Sequence, residues 1–290
     1  MTTTTTLPRS PARLAARRFR RNRMALAGAA FLVLVCLLAL LAPLVAGHDP
    51  NAVDLSAFRE APSAAHPLGT DSSGRDVFAR LVYAGRVSLL VGLASALAAV
   101  ALGALLGAVS GMFGGALDAA VMRVADVVLS FPSLVVVVVL AGILGPSTGM
   151  LVIVFAACNW PTACRVVRGL TLTLREQEYV QAARAFGAGR LTVIARHVLP
   201  AVLSQVAVVG TLLVAQMILL EAVLSFLGLG VQPPQASWGN MLNDAQNLTL
   251  IQTMPWLWLP PGLAIALTVL AVNFVGDGLR DAVDPKGARR

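Results

Sequence analysis

The chain has 290 residues, of which 57% are hydrophobic and only 12% charged, with a mean hydropathy of +0.79. Soluble domains are nearer half apolar and a quarter charged, so this composition excludes a soluble, disordered or disulfide-rich chain and defines a polytopic membrane protein. The net charge of +8 rests almost wholly on Arg; the single lysine, Lys286, follows no Gly-rich turn, so the chain is not a P-loop ATPase by itself.

The first segment, 1–23, opens with five threonines and then gathers arginines, a basic tail expected to be disordered until it meets anionic headgroups. A helix needs about 20 apolar residues to cross about 30 Å of hydrocarbon, and Met24–Ala46 is the first such run. It exceeds the length of a signal-peptide core, so an uncleaved anchor is expected despite the preceding Arg pairs. The polar stretch 47–86 follows. Its segment His66–Asp76 is dense in Asp, Gly and Arg and reads as a folded, hydrogen-bonded loop, with Asp71 or Ser73 capping a helix from Val77. That loop is either a cover over the helix ends or a docking surface for an external partner, with Asp71, Gly74, Arg75 and Asp76 as its candidate residues.

The second span is expected at about Ser88–Gly111. The uncharged run Val127–Cys164 is too long for one crossing and is divided by Gly145-Pro146-Ser147-Thr148-Gly149, giving a third span that ends near Leu144 and a fourth that starts near Met150. Ala201–Leu220 supplies the fifth and Leu257–Gly276 the sixth. Lys and Arg number 7, 1, 6 and 4 in the N-terminal tail, the loop at Arg123, the stretch Arg165–Arg196 and the C-terminal tail 278–290, against 4 in the remaining loops. The positive-inside rule then places both ends in the cytoplasm.

Between spans four and five, Thr173-Leu174-Arg175-Glu176 has the form of a capping box. Tyr179, Ala182, Ala183 and Phe186 follow at helical spacing, Gly187 and Gly189 end that helix, and a second piece, Leu191–Leu199, leads into span five through Pro200. Such a helix is either a knob for a groove on another protein or an interfacial helix among headgroups. Glu221 falls near the outer end of span five, where pairing with Arg75, Arg80 or Arg86 is expected. Asn159, Gln205, Gln216 and Asn273 pack between helices or face a conduit. Cys36, Cys158 and Cys164 are read as inert thiols. His48, His66 and His197 lie in different segments on two sides of the membrane, so no metal site is expected.

Gln181-Ala182-Ala183-Arg184-Ala185-Phe186-Gly187, nine residues, then His197-Val198-Leu199-Pro200 resembles the EAA loop of ABC importer permeases. That pattern reads E-A-A, three residues, G, nine residues, I-x-L-P; here Gln181 and His197 depart from it. Segments 66–89, 221–244 and 276–285 resemble the C-type permease of dipeptide and oligopeptide importers in the peptide/nickel branch. The likeness covers about residues 10–285, in order.

The resemblance implies an all-α polytopic membrane protein with six transmembrane helices in the type I ABC importer permease (MetI-like) fold. The five-helix permease core would occupy 87–277, with the coupling loop at 173–200. It implies a non-catalytic subunit of an ATP-driven, binding-protein-dependent importer in the bacterial inner membrane. Its partners would be a B-type permease, two ATPase subunits or domains, an external substrate-binding protein and the lipid bilayer, with no nucleic acid. ATP and Mg would be bound by the ATPases and no cofactor by this chain. Glu178, Tyr179, Gln181, Ala182, Ala183 and Phe186 would meet the ATPase, with Gly187 setting the bend; the residues themselves, not the resemblance, point to Asp71, Gly74, Arg75, Asp76 and Glu221 for the external gate or docking surface. A di- or oligopeptide is the expected substrate, with nickel chelates, glutathione or haem as alternatives. The rival from another class is an ion- or proton-coupled secondary transporter, which would need inverted repeats and midplane ionisable groups; the sequence offers neither.

Overall fold

The computed structural model describes residues 11–283. Helices dominate, and no strand occurs among these residues, as hydrocarbon requires of a backbone that must satisfy its own hydrogen bonds. The basic tail contributes α1 (Pro11–Arg21), which lies against the last helix. Asn22 then caps α2 (Arg23–Leu40), accepting from the Ala25 amide at 3.1 Å, and the short α3 (Ala42–Val45) completes the first apolar run.

The loop of residues 47–76 leads to α4 (Val77–Phe113). Its 37 residues measure about 55 Å; the helix starts at Val77 as expected and contains the whole of the expected span Ser88–Gly111. Asp76 caps it, accepting from the Ala79 amide at 2.6 Å; the expected caps, Asp71 and Ser73, instead build the preceding turn, where Asp71 accepts from the Ser73 and Arg75 amides.

The third span departs from expectation. Residues 115–144 form α5 (Gly115–Ser130) and α6 (Ser133–Leu144), which meet at an angle of 84°. Pro132 is the cause: it lacks an amide hydrogen and drives Phe131 into an extended conformation (φ −101°, ψ 136°). With 12 residues, α6 reaches about 18 Å and cannot cross alone. Among the described residues five helices are long and apolar enough to span, six if the bent pair is one span.

Ser147 caps α7 (Thr148–Leu174), which continues unbroken through Pro161. It packs along α4 by means of Gly103, Gly107 and Gly111, spaced four apart on one helix face. A Cβ on Gly103 would lie 2.5 Å from the Trp160 carbonyl oxygen, and one on Gly107 2.5 Å from that of Cys164. Small residues thus bring the two backbones together where no hydrophobic drive operates between apolar helices. At one end of α7, Arg168 clasps Asp118 of α5 through two bonds of 2.5 and 2.6 Å, and Arg165 meets Asp126 at 2.6 Å.

Two small helices follow, α8 (Glu178–Ala185) and α9 (Arg190–Val193). A π-helical turn, Ile194–Val198, then runs without a break into α10 (Leu199–Phe226). At the opposite end lie α11 (Trp238–Asp244) and α12 (Leu248–Thr253), before α13 (Pro255–Val283) returns against α2 and α10. The core gathers Val91, Ala99, Leu151, Phe155, Leu213 and Met217 from α4, α7 and α10. The expected C-terminal tail 278–290 lies inside α13 as far as Val283; its remainder falls outside the described residues.

Candidate functional site

One end of the bundle carries the projection formed by α8 and α9. The expected capping box does not start it: Thr173 lies inside α7, its hydroxyl donating to the Gly169 carbonyl. The helix begins instead at Gln177, whose extended backbone (φ −72°, ψ 142°) ends the preceding turn. Val180 is fully buried against Val193, Ile194 and Val198, together with Ala108 and Met112 of α4. The opposite face is bare: Phe186 is 92% exposed and Tyr179 47%, with Glu178, Gln181 and Ala182 also exposed and Ala183 half-buried.

Gly187 terminates α8 as expected. At φ +88° it lets the Ala188 amide donate to the Ala183 carbonyl and its own amide to that of Arg184, a paired C-cap that only glycine adopts without strain. Gln181 donates through Nε2 to the Glu176 carbonyl at 3.2 Å, a bond that the glutamate of the EAA pattern could not make. His197, the other departure from that pattern, lies 6.1 Å from the Tyr179 ring, between centroids. Arg190 stacks over Phe113 at the end of α4. The projection is therefore fastened to both α4 and α10. Its exit is continuous: Leu199 is helical (φ −56°, ψ −46°) and donates to the Ile194 carbonyl, so a wide turn leads straight into α10.

At the other end, the loop 47–76 and the segment 227–244 fold over the helix termini. Asp71 accepts from Arg75 Nε at 2.7 Å and lies 3.6 Å from Arg80; both arginines reach Asp244 of α11, at 3.2 and 3.3 Å. Burial pushes the Asp244 carboxyl up from its ordinary range, and the charges of Arg80 and Arg75 oppose that shift. Gly74, at φ +75°, sits so close to Asp54 that a side chain would strike its carbonyl. Asp76 is buried, its Oδ1 holding the cap of α4 and its Oδ2 accepting from His66 Nδ1 at 2.8 Å.

Glu221 corrects the sequence reading. It is fully buried and meets no arginine among the described residues. Its two oxygens accept from the hydroxyls of Ser88, at 2.8 Å, and Ser225, at 2.7 Å. Those hydroxyls in turn accept from the backbone amides of Trp238 and Val231. The expected arginine partners are engaged elsewhere: Arg75 and Arg80 with the aspartates, Arg86 with the carbonyls of Ala39 and Leu40. The acid thus sews α4, α10 and the start of α11 together. The partnerships of Ser88, Trp238 and Asp244 went unread in the sequence, because nothing local marks contacts made across more than a hundred residues; Ser225, one helical turn from Glu221, could have been found by its i,i+4 spacing.

The remaining polar candidates separate by exposure. Asn159 is buried and donates back to the Phe155 carbonyl, whereas Gln216 is exposed on the face of α10. Cys36, Cys158 and Cys164 are unpaired thiols. His197 lies with the α8 projection, while His48 and His66 meet at the other end, their ring centroids 5.3 Å apart.

The described residues thus form a helical bundle with a small projecting helix at one end and a folded loop cap at the other. Residues 103–289 match the family described as binding-protein-dependent transport system inner membrane component, and residues 10–62 match the N-terminal TM domain of oligopeptide transport permease C. The chain is 47% identical over 276 residues to a protein of Brucella suis named a peptide permease, covering 95% of this chain and 91% of that one. It is 46% identical to a Brucella abortus protein with the same type of name, with the same coverage. It is also 41% identical over 271 residues to the glutathione transport system permease protein of Escherichia coli, covering 93% and 89%.

The chain belongs to the family of binding-protein-dependent transport system inner membrane components, as a C-type ABC importer permease of the peptide/nickel branch. It is a multi-pass inner-membrane subunit without catalysis of its own, in a family whose complexes combine permease, ATPase and binding-protein components. Membership removes the ion-coupled secondary transporter from consideration.

Proposed function

We propose that this chain forms half of the conduit of a peptide importer and that α8 is its seat on the ATPase. Both termini and the α8 projection lie in the cytoplasm, and the cap formed by 47–76 and 227–244 faces the external binding protein. A B-type permease completes the conduit, and two ATPase subunits or domains bind the ATP and Mg; this chain binds no cofactor for that cycle. The observation that carries this reading is the contrast across α8, where Val180 is fully buried while Phe186 on the other face is 92% exposed. An aromatic ring so exposed at the tip of a fastened helix suits insertion into a groove.

Through that seat, closure of the ATPase pair favours the outward-facing permease and hydrolysis releases it, a shift of population between two states. Asp71, Gly74, Arg75, Asp76 and Glu221 hold the external cap in shape. Gln216, a polar group exposed on a spanning helix, faces the conduit or the second permease. The substrate class follows the relatives named for peptides; glutathione, itself a small peptide, belongs to the same chemistry. Proteoliposomes holding the whole complex and its binding protein are expected to accumulate labelled di- or tripeptide only with ATP. Uptake without ATP, or labelling of Ala183→Cys only from the external side of intact cells, contradicts the reading.

A further inference from the structure

The transport reading leaves His48 and His66 without a task. His48 follows α3, where Gly47, at φ +67°, turns the chain back over the start of α4. His66 opens the tight turn closed by the Gly69 amide, which donates to its carbonyl. Both rings present Nδ1 to the same oxygen, Asp76 Oδ2, at 2.8 Å from His66 and 4.0 Å from His48. One donor atom from each of the three side chains lies within 4.8 Å of the others.

A tetrahedral zinc ion with bonds of about 2.0–2.1 Å sets its ligand atoms about 3.3 Å apart. The observed separations bracket that value, so small side-chain rotations suffice to enclose an ion. The parts are unequally prepared. Asp76 is 2% exposed, and its other oxygen is fixed by the Ala79 amide, so Oδ2 is already aimed. His66 is 16% exposed and follows it closely. His48, at 50%, is the movable arm, and among the described residues its ring has no hydrogen-bond partner. A hydrogen-bonded brace for the α4 cap requires His66 alone; it gives no reason for a second imidazole aimed at the same oxygen. His48 also borders a cavity of about 560 Å³ shared with Tyr83, Arg86 and Gln235, which leaves room for a water in the remaining coordination position.

We propose that His48, His66 and Asp76 form a binding site for a borderline divalent transition-metal ion. Two imidazoles and one carboxylate favour zinc over the oxygen-seeking magnesium and calcium. Bound there, the ion clips the chain after α3 to the loop and to the N-terminus of α4. The inference rests on these three side chains and is independent of the transported substrate and of the seat on the ATPase.

The test uses the intact transporter in lipid nanodiscs, purified through a tag without histidine, stripped with chelator and titrated with zinc sulfate against a chromophoric competitor. The wild type is expected to hold one zinc equivalent that His48→Ala and His66→Ala each remove. Loss of a direct ligand should weaken binding by at least about 100-fold, since losing an outer-shell partner alone costs about 10–100-fold. X-ray absorption at the zinc edge of the wild type, which depends on no variant's folding, should show two imidazole nitrogens and oxygen. Absence of bound zinc, equal affinity in His48→Ala, or fewer than two imidazoles in the spectrum overturns the site. Peptide uptake, read separately, bears on the transport reading alone.

Discussion

Permeases carrying Gly187→Asp or Ala183→Asp are expected to insert in normal amounts and to lose both ATP-driven uptake and substrate-stimulated ATP hydrolysis in proteoliposomes. Gly187 has open space where a Cβ would stand, so the objection to a side chain is its φ of +88°, a strain of about 1–2 kcal/mol. At Ala183 a carboxylate falls within the last turn of α8, where the helix dipole disfavours it by about 0.3–1 kcal/mol. Both penalties are small beside a typical folding stability of about 5–15 kcal/mol. The seat is more demanding. Swinging a two-state equilibrium from about 1:99 to 99:1 takes about 5.5 kcal/mol of differential binding, and a charge pressed into a groove opposes that binding directly. Unchanged coupled activity in either variant contradicts the assignment of α8.

Glu221→Ala is expected to lower the melting temperature of the purified complex. The substitution leaves the Ser88 and Ser225 hydroxyls without their acceptor inside a dry core, at about 1–3 kcal/mol for each group left unpaired. Glu221→Gln keeps one acceptor and the volume, and should cost less. Because no arginine among the described residues meets Glu221, charge exchange offers no remedy: Glu221→Arg combined with Arg80→Glu should be no better than the single change. Recovery of stability in that double variant would restore the ion pair that the sequence suggested and sink the serine network.

Much of the bundle was legible because hydrocarbon imposes one rule on every residue of a span. Runs such as Met24–Ala46 and Ala201–Leu220 have a single reading at their length. The α8 projection was legible for another reason: Tyr179, Ala182, Ala183 and Phe186 repeat at helical spacing, and Gly187 marks the end by a conformation that side chains avoid. What escaped was settled between distant segments or by one atom. Pro132 and Pro161 could each break a span by sequence, and only the fold tells them apart: α7 continues through Pro161, whereas at Pro132 two helices meet at 84°. Thr173 has correct capping chemistry, but the α7 helix simply continues past it. Glu221 was assigned an arginine from its place near the outer end of span five, whereas the fold offers two serine hydroxyls, one of them from a helix more than a hundred residues away. His48 and His66 looked unrelated along the chain until the turn at Gly47 placed their rings together.

Site-directed cross-linking tests the seat most directly. With Cys36, Cys158 and Cys164 replaced by serine, Ala182→Cys is paired in the assembled transporter with single cysteines along the groove of the ATPase subunit. Rapid disulfide formation on mild oxidation, blocking uptake and reversed by reductant, is the expected result. Efficient bonding of Ala182→Cys to the external binding protein, with none to the ATPase, would contradict it.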